Sequence, residues 1–164
     1  MAMKTRRNKY GFTLIEMLVV VALIAILASM IIGAASHIDA RGKENSLKST
    51  FVLLDGALQE YRQFSDKFPE QLEQNTANAA AHSEYLYSEL NSVPDSRSIL
   101  EKINSSLIEN KYAAAGTPAG TGPEIYDPWD TPLDYRYTPG ENFPVLISAG
   151  PDKKFGTADD ISNK

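Results

Sequence analysis

The sequence predicts an α+β chain. A long N-terminal α-helix, membrane-spanning in its first half, carries a small head of short helices and an antiparallel C-terminal β-sheet. Three observations predict it. Met17 to Ala35 holds no charged residue, and only Ser29 and Gly33 interrupt its apolar side chains. Leu47, Phe51, Leu54, Leu58 and Tyr61 then recur in steps of three and four, with Lys48, Asp55, Gln59, Glu60 and Arg62 between them, which is one apolar stripe on a helix. From Tyr126 onward the pattern changes to short runs broken by proline, glycine and aspartate, the punctuation of short strands.

The apolar run comes first. About 20 such residues cross a hydrocarbon core of roughly 30 Å as a helix. Lys4, Arg6, Arg7 and Lys9 precede it with no acid among them. Basic residues on that flank predict a cytoplasmic N-terminus and a single pass through the membrane, with the head on the other side. The net charge of −5 hides this asymmetry: those four are part of 16 basic side chains, which leaves 12 against 21 acidic ones. No basic surface for nucleic acid is expected. The chain has no cysteine, so no disulfide framework supports an exported head.

Three readings compete for the N-terminus. A secretory signal peptide fits the basic flank, but the apolar run is too long and Gly33-Ala34-Ala35 is a poor cleavage site behind it. A plain signal anchor fits the length and the charge, but leaves Glu16 unexplained. A carboxylate in a membrane helix costs about 3 kcal/mol at the centre and less near the end, so Glu16 is a functional candidate.

The third reading accounts for it. The basic leader and Gly11-Phe12-Thr13-Leu14-Ile15-Glu16 resemble the processing site of type IV prepilins and type II secretion pseudopilins. The resemblance implies that a prepilin peptidase cuts between Gly11 and Phe12, removing residues 1–11. It implies N-methylation of Phe12 and makes Glu16 the fifth residue of the mature chain. In a filament, Glu16 of one subunit then meets the cationic N-terminus of a neighbour. An unpaired buried carboxylate is costly and a paired one is tolerated, so the acid selects one axial stagger.

The helix is expected to continue from about Phe12 to about Phe64, since no proline precedes Pro69. At 1.5 Å per residue it is on the order of 80 Å long. Residues 12–36 form the transmembrane and filament-core part, 37–65 the amphipathic part, and 66–164 the head. Within the head, 66–83 reads as a polar connector and Glu84–Leu90 as a short amphipathic segment. Ser98–Glu109 has helical spacing with Ser98 as its cap, and Ala113–Pro123 is a small-residue loop. No internal repeat is evident.

Tyr126-Asp127-Pro128-Trp129-Asp130-Thr131-Pro132 is turn chemistry around the only tryptophan, with Trp129 as a packing anchor. Leu133–Tyr137 alternates as a half-buried strand. Pro139-Gly140 turns the chain, and Val145–Ser148 is a second strand. A Gly/Asp-rich tail follows. This end of the chain resembles the major pseudopilin of type II secretion, whose head is a helix spine covered by a small antiparallel sheet: a pilin-like fold. The resemblance implies a calcium ion in the late loop, with Asp152, Asp159, Asp160 and Ser148 as ligands. Calcium takes six to eight oxygens, carboxylates and carbonyls together. Gly150 and Gly156 let the backbone curl around an ion. The same residues also suit a solvated acidic tail, and Lys153 and Lys154 would repel a cation unless they point away. The order of an EF-hand is absent.

His37 and His82 lie far apart without a partner at metal-ligand spacing; His37 marks the membrane exit. Ser29 suits close helix approach. No nucleophile elbow, phosphate loop or paired-acid constellation is present, so no enzyme is expected. The function implied is a structural pseudopilin. It sits in the inner membrane with its head periplasmic or extracellular. It is processed by the prepilin peptidase, then joins other pseudopilins on an inner-membrane assembly platform to form a pseudopilus for protein export. A type IV pilin, a minor subunit, or an anchored binding module that never polymerises are the alternatives.

Overall fold

Fifty-two residues, Leu14–Ser65, form one helix, α1. The computed structural model describes residues 12–112 and 122–164, and only the backbone of 30–37. The leader with Gly11, the side chain of His37 and most of the loop at 113–123 lie outside the described residues. The chain divides into two units, up to Arg41 and from Gly42 to Lys164. The second half of α1 therefore belongs to the head unit itself.

In the first unit, Phe12, Leu14, Ile15 and the apolar side chains through Leu27 are exposed. Among the described residues no helix is long and apolar enough to cross a membrane. The uncharged run extends past Ser29, into residues whose side chains lie outside the described set. Ser29 donates to the carbonyl of Ile26 at 2.7 Å, within its own helix.

In the head unit the predicted stripe is the centre of the core. Leu47, Leu54 and Leu58 are fully buried, with Phe51 and Tyr61 nearly so. Two segments depart from expectation around it. The connector is not simply polar: Phe68 is buried between Tyr137 and Phe143, edge-on at 5.2 and 5.0 Å. Gln71 bridges Tyr137, and the Tyr135 hydroxyl donates to the Pro69 carbonyl at 2.7 Å. The connector also ends early. After a 3-10 turn at Thr76–Asn78, capped by the Asn75 side chain, α2 runs Ala79–Ser92. The Ala79-Ala80-Ala81 run supplies helix propensity. Its buried face includes His82 and Ser83, two polar residues that hide the amphipathic signal.

The second departure is α3, Pro94–Leu100, with proline in its first turn. It starts and stops earlier than Ser98–Glu109. Pro94 is preorganised for that position. The Ser98 hydroxyl donates to the Asp95 carbonyl inside the helix and is no cap. Asn104 then caps a 3-10 turn at Ser105–Leu107, which leads directly into β1, Ile108–Glu109. Ile103 and Leu107 are buried, so their spacing reports the core and not a helix.

β1 pairs antiparallel with β2, Glu124–Ile125. A second sheet, in the order β3-β4-β5, holds Asp134–Arg136, Val145–Ser148 and Ile161–Ser162, all antiparallel. The alternation expected for β3 fails: Asp134 and Tyr135 are both fully buried, because the strand is covered on the Asp134 face as well.

The C-terminus closes on α1. Asn163 donates to Asp55 at 2.8 Å and accepts the Leu146 amide at 3.0 Å. Burial raises the Asp55 carboxyl above its ordinary range, against the opposing bond from Asn163. An acid with a raised folded pKa holds its proton more tightly when folded, so stability falls as pH rises through that window. Asp55→Asn keeps the acceptor oxygen and removes the desolvated charge. It is expected to raise the melting temperature at pH 7 and to change little at pH 3. An equal shift at both pH values would refute that account.

Candidate functional site

The first site is the start of α1. Thr13 precedes α1, and its carbonyl accepts a helical bond from Met17 at 3.3 Å. Glu16 reaches back over the turn. Its Oε2 accepts the Thr13 amide and the Thr13 hydroxyl, both at 2.9 Å. The Thr13 oxygen accepts the Glu16 amide at 3.2 Å. This is a capping box, two orphan helix donors satisfied reciprocally. The spacing Thr-x-x-Glu carries that signal in sequence. Thus Glu16 has an intrachain partner before any subunit meets another. Phe12, the residue before Thr13, is 83% exposed.

The second site is the loop 149–160 between β4 and β5. Ser148 is fully buried. Its hydroxyl donates to Asp127 Oδ2 at 2.6 Å and accepts the Gly150 amide at 3.0 Å. Gly150 has φ +67, and a Cβ there would lie 2.1 Å from the carbonyl oxygen of Asp159. Only glycine fits this contact. Asp152 and Asp159 are exposed. Asp152 accepts the Lys154 amide at 2.9 Å. Asp160 Oδ2 accepts the Gly156 amide at 2.8 Å, whereas its Oδ1 is buried without a hydrogen-bond partner. Among the described residues no three His, Asp or Glu side chains converge as a metal site. Any cation here relies on backbone carbonyls for most of its shell. Lys153, in a left-handed turn, places its charge where it favours ionised Asp127 and Asp130, toward the Asp-Pro-Trp turn.

Asp127, in the turn around Trp129, belongs to this site as well. It is 1% exposed. Its Oδ1 accepts the amides of Trp129 and Thr131, both at 2.9 Å. Burial pushes its carboxyl above the ordinary range, against the opposing bonds from Ser148, Thr131 and Trp129. Aspartate at the head of a Pro-Trp turn is an Asx-turn signal, so the local bonds were legible. The bond to Ser148 was not. Trp129 packs against the edge of the core, as expected of an anchor.

A third cluster carries no sequence signal. His82 Nδ1 lies 2.6 Å from Asp134 Oδ1, and Arg136 Nε donates to Asp134 Oδ2 at 2.6 Å. His82 Nε2 is 3.6 Å from Glu73. The arrangement joins α2, β3 and the connector. His82 and Asp134 are buried at its centre, so the cluster ties these elements together inside the head. Glu124 is likewise buried and accepts the amides of Lys111 and Tyr112 at 2.9 and 3.1 Å.

Residues 6–32 match the prokaryotic N-terminal methylation motif. Over nearly its whole length the chain is also similar to type II secretion system core protein G. It is 28% identical over 163 residues to that protein of Escherichia coli (strain K12), across 98% of this chain and 94% of the relative. It is 26% identical over 165 residues to that of Aeromonas hydrophila, across 96% and 94%. No solved structure matches the chain.

Proposed function

From a chain that carries the prokaryotic N-terminal methylation motif and is homologous to type II secretion system core protein G, we propose the following role. The chain is a pseudopilin, a structural subunit and not an enzyme. It inserts as a single pass in the inner membrane, leader inside and head outside. A prepilin peptidase cuts between Gly11 and Phe12 and methylates Phe12. The mature apolar helices pack into a filament that supports protein export, on an inner-membrane assembly platform and with other pseudopilins. The single observation that carries this is the methylation motif at residues 6–32 in a chain alignable end to end with core protein G.

Calcium fits the late loop in one respect: the buried, unpartnered Asp160 oxygen is the kind of donor that a cation completes. Asp160 would hold it, chiefly with loop carbonyls, because the side chains of Asp152, Asp159 and Asp160 do not converge on one point. The Ser148 hydroxyl is already engaged by Asp127 and Gly150. Bound calcium supplies positive charge that draws these oxygens together. The chain's own residues do the rest: Gly150 allows the close approach to Asp159, and Asp160 and Asp152 each hold a loop amide.

Intact mass of the chain expressed with and without its prepilin peptidase tests the reading. Loss of residues 1–11 plus one methyl group on Phe12, only with the peptidase, is expected. An unprocessed chain in both cells leaves a plain signal anchor and removes the assembly role.

A further inference from the structure

We propose that Asp127 is the positioning residue of the C-terminal loop, acting on it through Ser148, and that Ser148 is a relay and not a ligand. The consequence for calcium rests on the calcium reading given above; the anchoring itself does not. The argument is a chain of contacts. Asp127 is fixed first, because the amides of Trp129 and Thr131 hold one of its oxygens in the turn. Its other oxygen takes the Ser148 proton at the end of β4. With that proton directed at Asp127, the Ser148 oxygen faces the Gly150 amide. This sets the residue at which the loop enters its left-handed turn. Gly150 in turn lies against the Asp159 carbonyl, so the loop's entry and exit are fixed together. Asp152, Asp159 and Asp160 all lie on the backbone between or beside these points. Asp127, more than twenty positions earlier, therefore sets where the loop's oxygens stand. The logic is that of an outer partner orienting a ligand set, whose loss typically lowers metal affinity about 10- to 100-fold.

The test uses the full chain in detergent, with Asp127→Asn, Ser148→Ala and the double variant. Two readouts are taken. One is amide hydrogen exchange at Gly150 in calcium-free protein. The other is calorimetric titration with calcium chloride. Far-ultraviolet circular dichroism and Trp129 fluorescence report whether each head is folded. Both single variants are expected to speed Gly150 exchange and to weaken calcium binding by about tenfold or more. The double variant is expected to go no further than either, since both break one chain of contacts. Weakened binding in Ser148→Ala alone, with Asp127→Asn like the parent in both readouts, makes Ser148 a ligand and overturns the proposal. If the parent chain binds no calcium, the calcium reading fails, and Gly150 exchange alone decides: faster exchange supports Asp127 as the anchor, unchanged exchange ends it. If Asp127→Asn does not fold, Asp127→Glu, which keeps a carboxylate but moves it by one methylene, decides by the same exchange readout: faster Gly150 exchange supports Asp127 as the anchor, unchanged exchange ends it.

Discussion

Glu16→Leu is expected to abolish filament assembly while the leader is still removed and the head still folds. The sequence places this carboxylate at the edge of an apolar helix, and the structure gives it a local partner in Thr13. Two roles are therefore superimposed on one side chain. Capping needs an acceptor oxygen, and glutamine supplies one. Pairing with a neighbour's N-terminal ammonium needs a negative charge, and glutamine supplies none. Processing after Gly11 would leave that ammonium on Phe12, one residue from Thr13. Glu16→Gln is expected to be as defective in assembly as Glu16→Leu, and Thr13→Ala much less so. The measurement is the amount of sheared or microscopically visible filament in cells that express the whole secretion system. Filaments from Glu16→Gln at parental levels would show that Glu16 serves the helix terminus, and the intersubunit charge pair would have to be given up.

Asp134→Ala is expected to destabilise the head by about 3–5 kcal/mol, the range for removing one partner of a buried ion pair. Asp134 is fully buried and His82 is 1% exposed. Removing the carboxylate strands the His82 ring nitrogen and the Arg136 guanidinium at once. Denaturant unfolding followed by circular dichroism measures the loss. Asp134→Asn retains an acceptor and is expected to cost less. Glu73→Ala is expected to cost under about 1 kcal/mol, since Glu73 is half exposed and 3.6 Å from the ring. A double-mutant cycle between His82→Ala and Asp134→Ala isolates the pair. A loss below about 1 kcal/mol in Asp134→Ala, on the same scale, would mean that the cluster contributes only packing.

Legibility followed locality. The stripe on α1, the turn around Trp129 and the strand at 145–148 are encoded within one turn or a few residues, so periodicity and turn chemistry expose them. The elements whose bounds differ from the local pattern are those where burial is decided elsewhere. α2 starts at Ala79 because its polar His82 meets Asp134 and its Ser83 exchanges hydrogen bonds with Ile125; no helical window contains either partner. α3 stops at Leu100 because Asn104 caps a separate turn, although Ile103 and Leu107 keep an apolar spacing. For the candidate calcium ligands, the three acids stand together in sequence. The state of Ser148, however, depends on Asp127, which the sequence leaves far away.

The sequence by itself determined the N-terminal signal: the four basic residues before Gly11, the Gly11-Phe12 pair, the Thr13–Glu16 pair and the uncharged run. These are contiguous, and their chemistry is short-range: a methylation motif, a capped turn and an apolar length. The tertiary structure alone decided which polar residues of the head are buried and what each one holds. Burial of His82, Asp127 and Asp134 is tolerated only because partners from distant strands and turns satisfy them. Such pairings arise from how the elements pack and leave no periodic trace along the chain.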